Sequence, residues 1–132
     1  MNFSIIPPSW APYLLSVLRI VTALEFLQHG MAKYLKFPIV PMYATFTPAS
    51  PAGVAGFFEL VGSLFLLVGL FSRVWAFLMS GVMAVGYFMV HFPNGFYPIL
   101  NGGELAILYS FVFLYFACAG PGPWSLDAAM KK

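Results

Sequence analysis

Two histidines, four carboxylates and six basic side chains carry most of the titratable chemistry of this 132-residue chain. Histidine titrates near neutral pH and burial pushes a carboxyl into the same range. Such groups can pass a proton to a bound carbonyl or take one from a hydroxyl. His29, Glu59, His91 and Glu104 are therefore the candidate catalytic set, and Arg19, Glu25, Lys33, Asn94 and Asn101 are the candidates for holding a cofactor or polar head group beside them. Two other uses of the same residues stand beside this one. His29 and His91 could supply both axial ligands of a haem, and with Glu25, Glu59 and Glu104 they could bind iron, copper or zinc. Glu25 and His29 are four apart rather than the three of the Glu-x-x-His motif in di-iron bundles, which counts against the metal.

These groups need walls to position them, and the walls are apolar. Tyr13 to Tyr34 is long enough to cross a bilayer, which takes ~20 residues. Arg19, Thr22, Glu25, His29 and Lys33 fall within roughly a third of its circumference at ~100° per residue, with Gln28 as the one polar residue off the stripe. An uncompensated charge near mid-bilayer costs at least ~2.5–3.5 kcal/mol, so the stripe must face protein or water. The whole chain is 61% hydrophobic and 8% charged, with a mean hydropathy of +0.90. A soluble domain carries about 25% charged residues, so this chain could not clothe a globular surface in polar groups. The expected fold is an all-α membrane protein: a four-transmembrane-helix up-down bundle, spans at about 12–34, 52–71, 73–91 and 103–119, with a short C-terminal interfacial helix.

The boundaries follow from caps and breakers. Ser9 with Pro12, Ser50 with Pro51, Ser72 and Asn101 are the expected starts of the four spans, and Ser125 that of the tail helix. Residues 37–50 and 91–103, rich in proline and glycine, read as loops at one end of the bundle. Threading the spans up and down brings His29 and His91 toward that end, with Glu59 and Glu25 somewhat deeper and Glu104 at the mouth. They are expected to converge in one pocket, with Asn94 and Asn101 just above and Arg19 deeper, toward the opposite face. Arg73, Lys131 and Lys132 on one side against Lys33 and Lys36 on the other favour cytoplasmic termini. The start of the chain does not read as a cleaved signal peptide. One cysteine, Cys118, excludes an internal disulfide, and no basic cluster exists to bind nucleic acid.

Each residue also has a plain structural reading. Glu25 and His29 can pair with one another, and Glu104 can complete a capping box with Asn101. Arg73 is an orientation anchor at a membrane boundary, and Lys33 can reach the head groups. Cys118 reads as a small core residue.

Four motifs in order, HGMAKYLKFP, FFELVGSLFLLVGLFSRVWA, HFPNGFYPILNGGELAILY and GPGPWSLDA, resemble the DoxX family from about Leu14 to Ala128. The resemblance implies a four-helix protein of the bacterial or archaeal inner membrane. Relatives include a subunit of thiosulfate:quinone oxidoreductase and a partner in membrane oxidoreductase complexes linked to thiol and oxidative stress. The motifs carry over His29, Gly30, Lys33, Glu59, Gly62, Arg73, His91, Asn94, Gly95, Asn101, Gly102, Gly103, Glu104, Gly120, Pro121, Ser125 and Asp127, and leave Arg19 and Glu25 outside.

Two functions follow as expectations. The first is an integral membrane subunit of a respiratory or redox complex, acting with quinone and with a membrane or periplasmic partner that supplies electrons. The chain itself has no flavin motif, no iron–sulfur cysteines and no c-type haem site. The second is a non-catalytic accessory or assembly subunit packed against a larger membrane complex; an oligomer of the chain is compatible with either. A transporter is disfavoured, since no span is broken by glycine or proline at mid-depth.

Overall fold

The computed structural model describes residues 3–131, so Met1, Asn2 and Lys132, the last of which was weighed above for orientation, lie outside it. Helix α1 runs over Ala11–Tyr34 behind a turn of 3₁₀ helix at Pro8–Trp10. Helix α2 is Pro51–Val68 and α3 is Ser72–Asn94; both, like α1 with its leading turn, are long and apolar enough to cross a membrane. Helix α4, Glu104–Ala119, is apolar but only 16 residues long, and α5, Leu126–Met130, forms the tail. Among the described residues there is no strand.

Consecutive helices pack antiparallel, and each contact is made by residues small enough or flat enough to allow it. Gly30 of α1 lies against the α2 backbone so closely that a methyl group there would stand 2.5 Å from the Leu60 nitrogen. Tyr34 then donates its hydroxyl to the Gly53 carbonyl at 2.7 Å. Phe65 of α2 stacks on Trp75 of α3 at 4.9 Å. Ser80 of α3 and Ser110 of α4 donate to one another's backbone carbonyls at 2.7 and 3.0 Å, each satisfying a hydroxyl that would be costly to leave unpaired in an apolar interior. Phe26 closes the ring between α1 and α4, 5.0 Å from Tyr109 and 4.9 Å from Phe113. Ala23, Leu66, Ala76, Met79 and Phe116 complete this core.

The structure departs from the expected helices in three ways. First, α2 and α3 each contain a π-helical stretch, Phe58–Gly62 and Tyr87–His91. A π stretch inserts one residue into the ladder and turns the following helix by about 100°. Gly56, Glu59, Gly62 and Ser63 are all buried, yet they serve two neighbours: Gly56 lies on Lys33 and Tyr34 of α1, Gly62 on Met79 of α3.

Second, α2 stops three residues early, at Gly69 in the left-handed region (φ 72°). Third, the local caps expected for three spans are absent. Ser9 falls inside the 3₁₀ turn and caps nothing. Ser72 leaves its hydroxyl unpartnered; the amides of Phe71 and Ser72 bond instead to the two carboxylate oxygens of Asp127 in the tail, each at 2.9 Å. Asn101 ends a separate helical turn, Pro98–Asn101, and α4 begins at Glu104 behind Gly103, which has no side chain to cap it. Ser50 and Ser125 do cap as expected, accepting from Gly53 and Ala128 at 3.1 Å.

Candidate functional site

Helix depth alone brings the polar residues to one end of the bundle; the packing then divides them. At the seam of α1 and α2, Lys33 donates to both carboxylate oxygens of Glu59, at 2.7 and 3.0 Å, and neither side chain is more than 6% exposed. The π stretch in α2 sets the register that turns Glu59 inward, and Gly56 makes room for the lysine stem, whose Cδ would lie 2.9 Å from a methyl group there. The 35–50 loop folds over the pair, with the Tyr43 ring centroid 5.2 Å from the lysine nitrogen. Burial, with the Glu59 carboxylate as a second cause, holds the Tyr43 phenol above its ordinary value. Lys33 is thus not a head-group snorkel but half of a closed, internally neutral pair.

A second node sits where α3 ends. His91, half-buried, stacks on Tyr87 one helical turn earlier, at 6.3 Å and 24°, and its Nδ1 lies 3.1 Å from the Asn101 carbonyl. A carbonyl oxygen only accepts, so Nδ1 carries the proton and Nε2 is the basic nitrogen of the neutral ring. Asn101 is buried and fully used: its amide donates to the Tyr87 hydroxyl at 3.2 Å and the Gly95 carbonyl at 2.9 Å, while its oxygen accepts from the Gly103 amide at 2.8 Å. Asn94 is exposed and donates to the Val90 carbonyl within its own helix end.

Beside this node lies a groove of about 360 Å³, lined by Pro98, Ile99, Gly102, Glu104, Leu105 and Leu108. Gly102, held at φ +74°, has no side chain to separate the groove from His91; a methyl group there would stand 3.9 Å from Nδ1. Glu104 is exposed on the groove wall and, among the described residues, takes part in no ion pair. The groove is thus apolar apart from one carboxylate, with the His91 imidazole behind Gly102, and such a surface suits a molecule that is apolar with one polar end.

The remaining candidates lie elsewhere. His29 is half-buried on α1, its ring 6.2 Å from Phe26. Glu25 is exposed and accepts from Gln28 at 3.1 Å, so the expected pair with His29 does not form. Arg19 serves the opposite end of the bundle: its guanidinium is 1% exposed and donates to the carbonyls of Pro121 and Trp124. Ser16 joins it, accepting from the Trp124 amide at 3.1 Å, and Arg73 donates to the carbonyls of Ala117 and Cys118. The single pocket expected from all four helices is thus resolved into the Lys33–Glu59 pair, the His91–Asn101 node with its groove, and a distant tail clasp. Among the described residues no three His, Cys, Asp or Glu side chains stand close enough to hold a metal ion.

Sequence reasoning missed Tyr43 and Tyr87, and it named Asp127 only as a motif position, without its role at the start of α3. Tyr87 was within reach, because it precedes His91 by one helical turn. Nothing local marks Tyr43 or Asp127, whose partners are 10 or more residues away.

Comparison with known proteins bears on the same residues. The DoxX family model matches residues 14–92, which covers Lys33, Glu59 and His91. An uncharacterized protein of Haemophilus influenzae is 48% identical over 127 residues, spanning 93% of this chain and 95% of its own. A second uncharacterized protein of that organism is 24% identical, over 89% of this chain and 83% of its own. No solved structure matches the chain.

Proposed function

The chain belongs to the DoxX family of membrane proteins, and from that premise we propose that it is the bilayer-embedded subunit of a quinone-linked redox complex, with α4 as its fourth crossing. The observation that carries this reading is the groove at the start of α4, where Glu104 is the one ionisable side chain on a surface otherwise made of Pro98, Ile99, Gly102, Leu105 and Leu108, with His91 behind Gly102. A quinone head group needs proton donors and acceptors at its oxygens and apolar surface for its tail. Reducing it to the quinol takes two electrons and two protons. A partner protein supplies the electrons, since this chain has no motif for a carrier of its own. Glu104 is the group on the groove wall that can hold and release a proton, and the His91 imidazole behind Gly102 is the second titratable group of this region. Leu105, next to Glu104, and Leu108, one turn further along α4, line the path of the tail.

A second reading, an accessory subunit without chemistry, draws support from how much polar side chain is spent on structure. Lys33 with Glu59, Arg19, Arg73 and Asp127 all satisfy groups within the chain. The readings separate in membranes carrying Glu104→Gln or His91→Gln with the partner proteins co-purified. Quinone turnover lowered at least tenfold with unchanged co-purification supports the redox subunit. Unchanged turnover supports the accessory one.

A further inference from the structure

The least comfortable residue in this membrane protein is Glu25. It is the fifteenth of the 24 residues of α1, and with ~1.5 Å of rise per residue it lies within about 5 Å of the helix midpoint. It is exposed, and so is Gln28, while His29 beside them is half-buried. The only salt bridge among the described residues is Lys33–Glu59, and the single side-chain partner of the Glu25 carboxylate is the Gln28 amide at 3.1 Å. Around this patch the exposed surface of α1 is Leu14, Val17, Leu18, Val21 and Leu24. An acidic side chain facing lipid near mid-bilayer is expensive, and such groups almost always turn to protein or to a water-filled space. This one turns outward from its own bundle.

We infer that the Glu25–Gln28–His29 face of α1 is an interface between two copies of this chain. The patch is complementary to itself. It presents a carboxylate, an amide that both donates and accepts, and an imidazole N–H, one to four residues apart. In a two-fold arrangement every contact occurs twice, so Glu25 of each copy meets His29 of its partner, with the two Gln28 amides paired near the axis. Each carboxylate then gains a donor, and the polar face of each helix leaves the lipid. The flanking Val21 and Leu24 supply the apolar packing on which membrane helix association rests. This pairing leaves the Glu104 groove untouched and does not depend on the redox reading.

The test is made in lipid nanodiscs or vesicles, with Cys118→Ser to remove the native thiol. Gln28→Cys in that background should form a disulfide-linked dimer on mild oxidation, while Leu108→Cys on α4 should not. The mass in mild detergent should be that of two copies. Glu25→Leu, which removes the need for a partner, should weaken self-association at least tenfold. Gln28→Cys lies on an exposed position, so its cross-linking reports even if Glu25→Leu folds poorly. A wild-type monomer in the bilayer would overturn the inference. So would a Gln28 cross-link formed only to a different membrane protein, which would assign the face to that partner.

Discussion

The ammonium of Lys33 and the carboxylate of Glu59, 26 residues apart in sequence, meet at 2.7 Å between α1 and α2, each about 6% exposed. Breaking such a pair from one side leaves a buried charge, at a cost of about 3–5 kcal/mol, whereas replacing both partners with apolar groups is often neutral. Glu59→Gln and Lys33→Met should each lower the thermal midpoint in detergent strongly, and Lys33→Met with Glu59→Leu should recover most of the loss. If the double variant is as unstable as either single one, the pair does more than balance charge.

Asp127 offers a pH-dependent test. Burial pushes its carboxyl up, but the Ser72 and Phe71 amides and Lys131 outweigh that and hold it below the usual carboxylate range. A group whose pKa falls on folding adds stability above its unfolded value, about 3.9, and loses it as pH drops through the folded value. The wild type should therefore exceed Asp127→Asn in thermal midpoint at neutral pH, and the gap should close as pH is lowered below about 4. A gap that stays constant with pH would show that the carboxylate charge plays no part in holding the α3 amides.

The approach of α1 to α2 at Gly30 makes a steric prediction. An added methyl would meet Leu60 backbone at 2.5 Å, and backbone cannot swing aside. Gly30→Ala should cost about 1–3 kcal/mol, as overpacked cores do, and lower the yield of folded protein. Gly81→Ala, with nothing within 4 Å of the new methyl, is the control and should be silent.

Much of this architecture was legible in the chain. The end of α1 at Tyr34, the Ser50-Pro51 start of α2 and the Ser125 cap are local signals and appear where they were expected. What could not be read was azimuth. Depth along a helix places Glu59, His91 and Glu104 toward one end of the bundle, but which neighbour each faces depends on the π stretches at Phe58–Gly62 and Tyr87–His91. No residue pattern announces those. The capping of α3 illustrates a second limit: Ser72 has the right chemistry in the right place, yet a carboxylate 55 residues away takes the amide. The stripe on α1 is also only partly internal. Arg19, Thr22 and Lys33 are buried, but Glu25 is not, because the buried face of α1 runs through Ala23, Phe26 and Gly30 and Glu25 lies to one side of it.

The account of function stands on the groove beside His91, and photolabelling tests it most directly. With the protein in nanodiscs, an azido-quinone should label the peptide containing residues 98–108, excess natural quinone should suppress the label, and Glu104→Gln should reduce it at least tenfold. Label spread evenly over the exposed faces of α1, α3 and α4, and indifferent to both natural quinone and Glu104→Gln, would contradict the proposal.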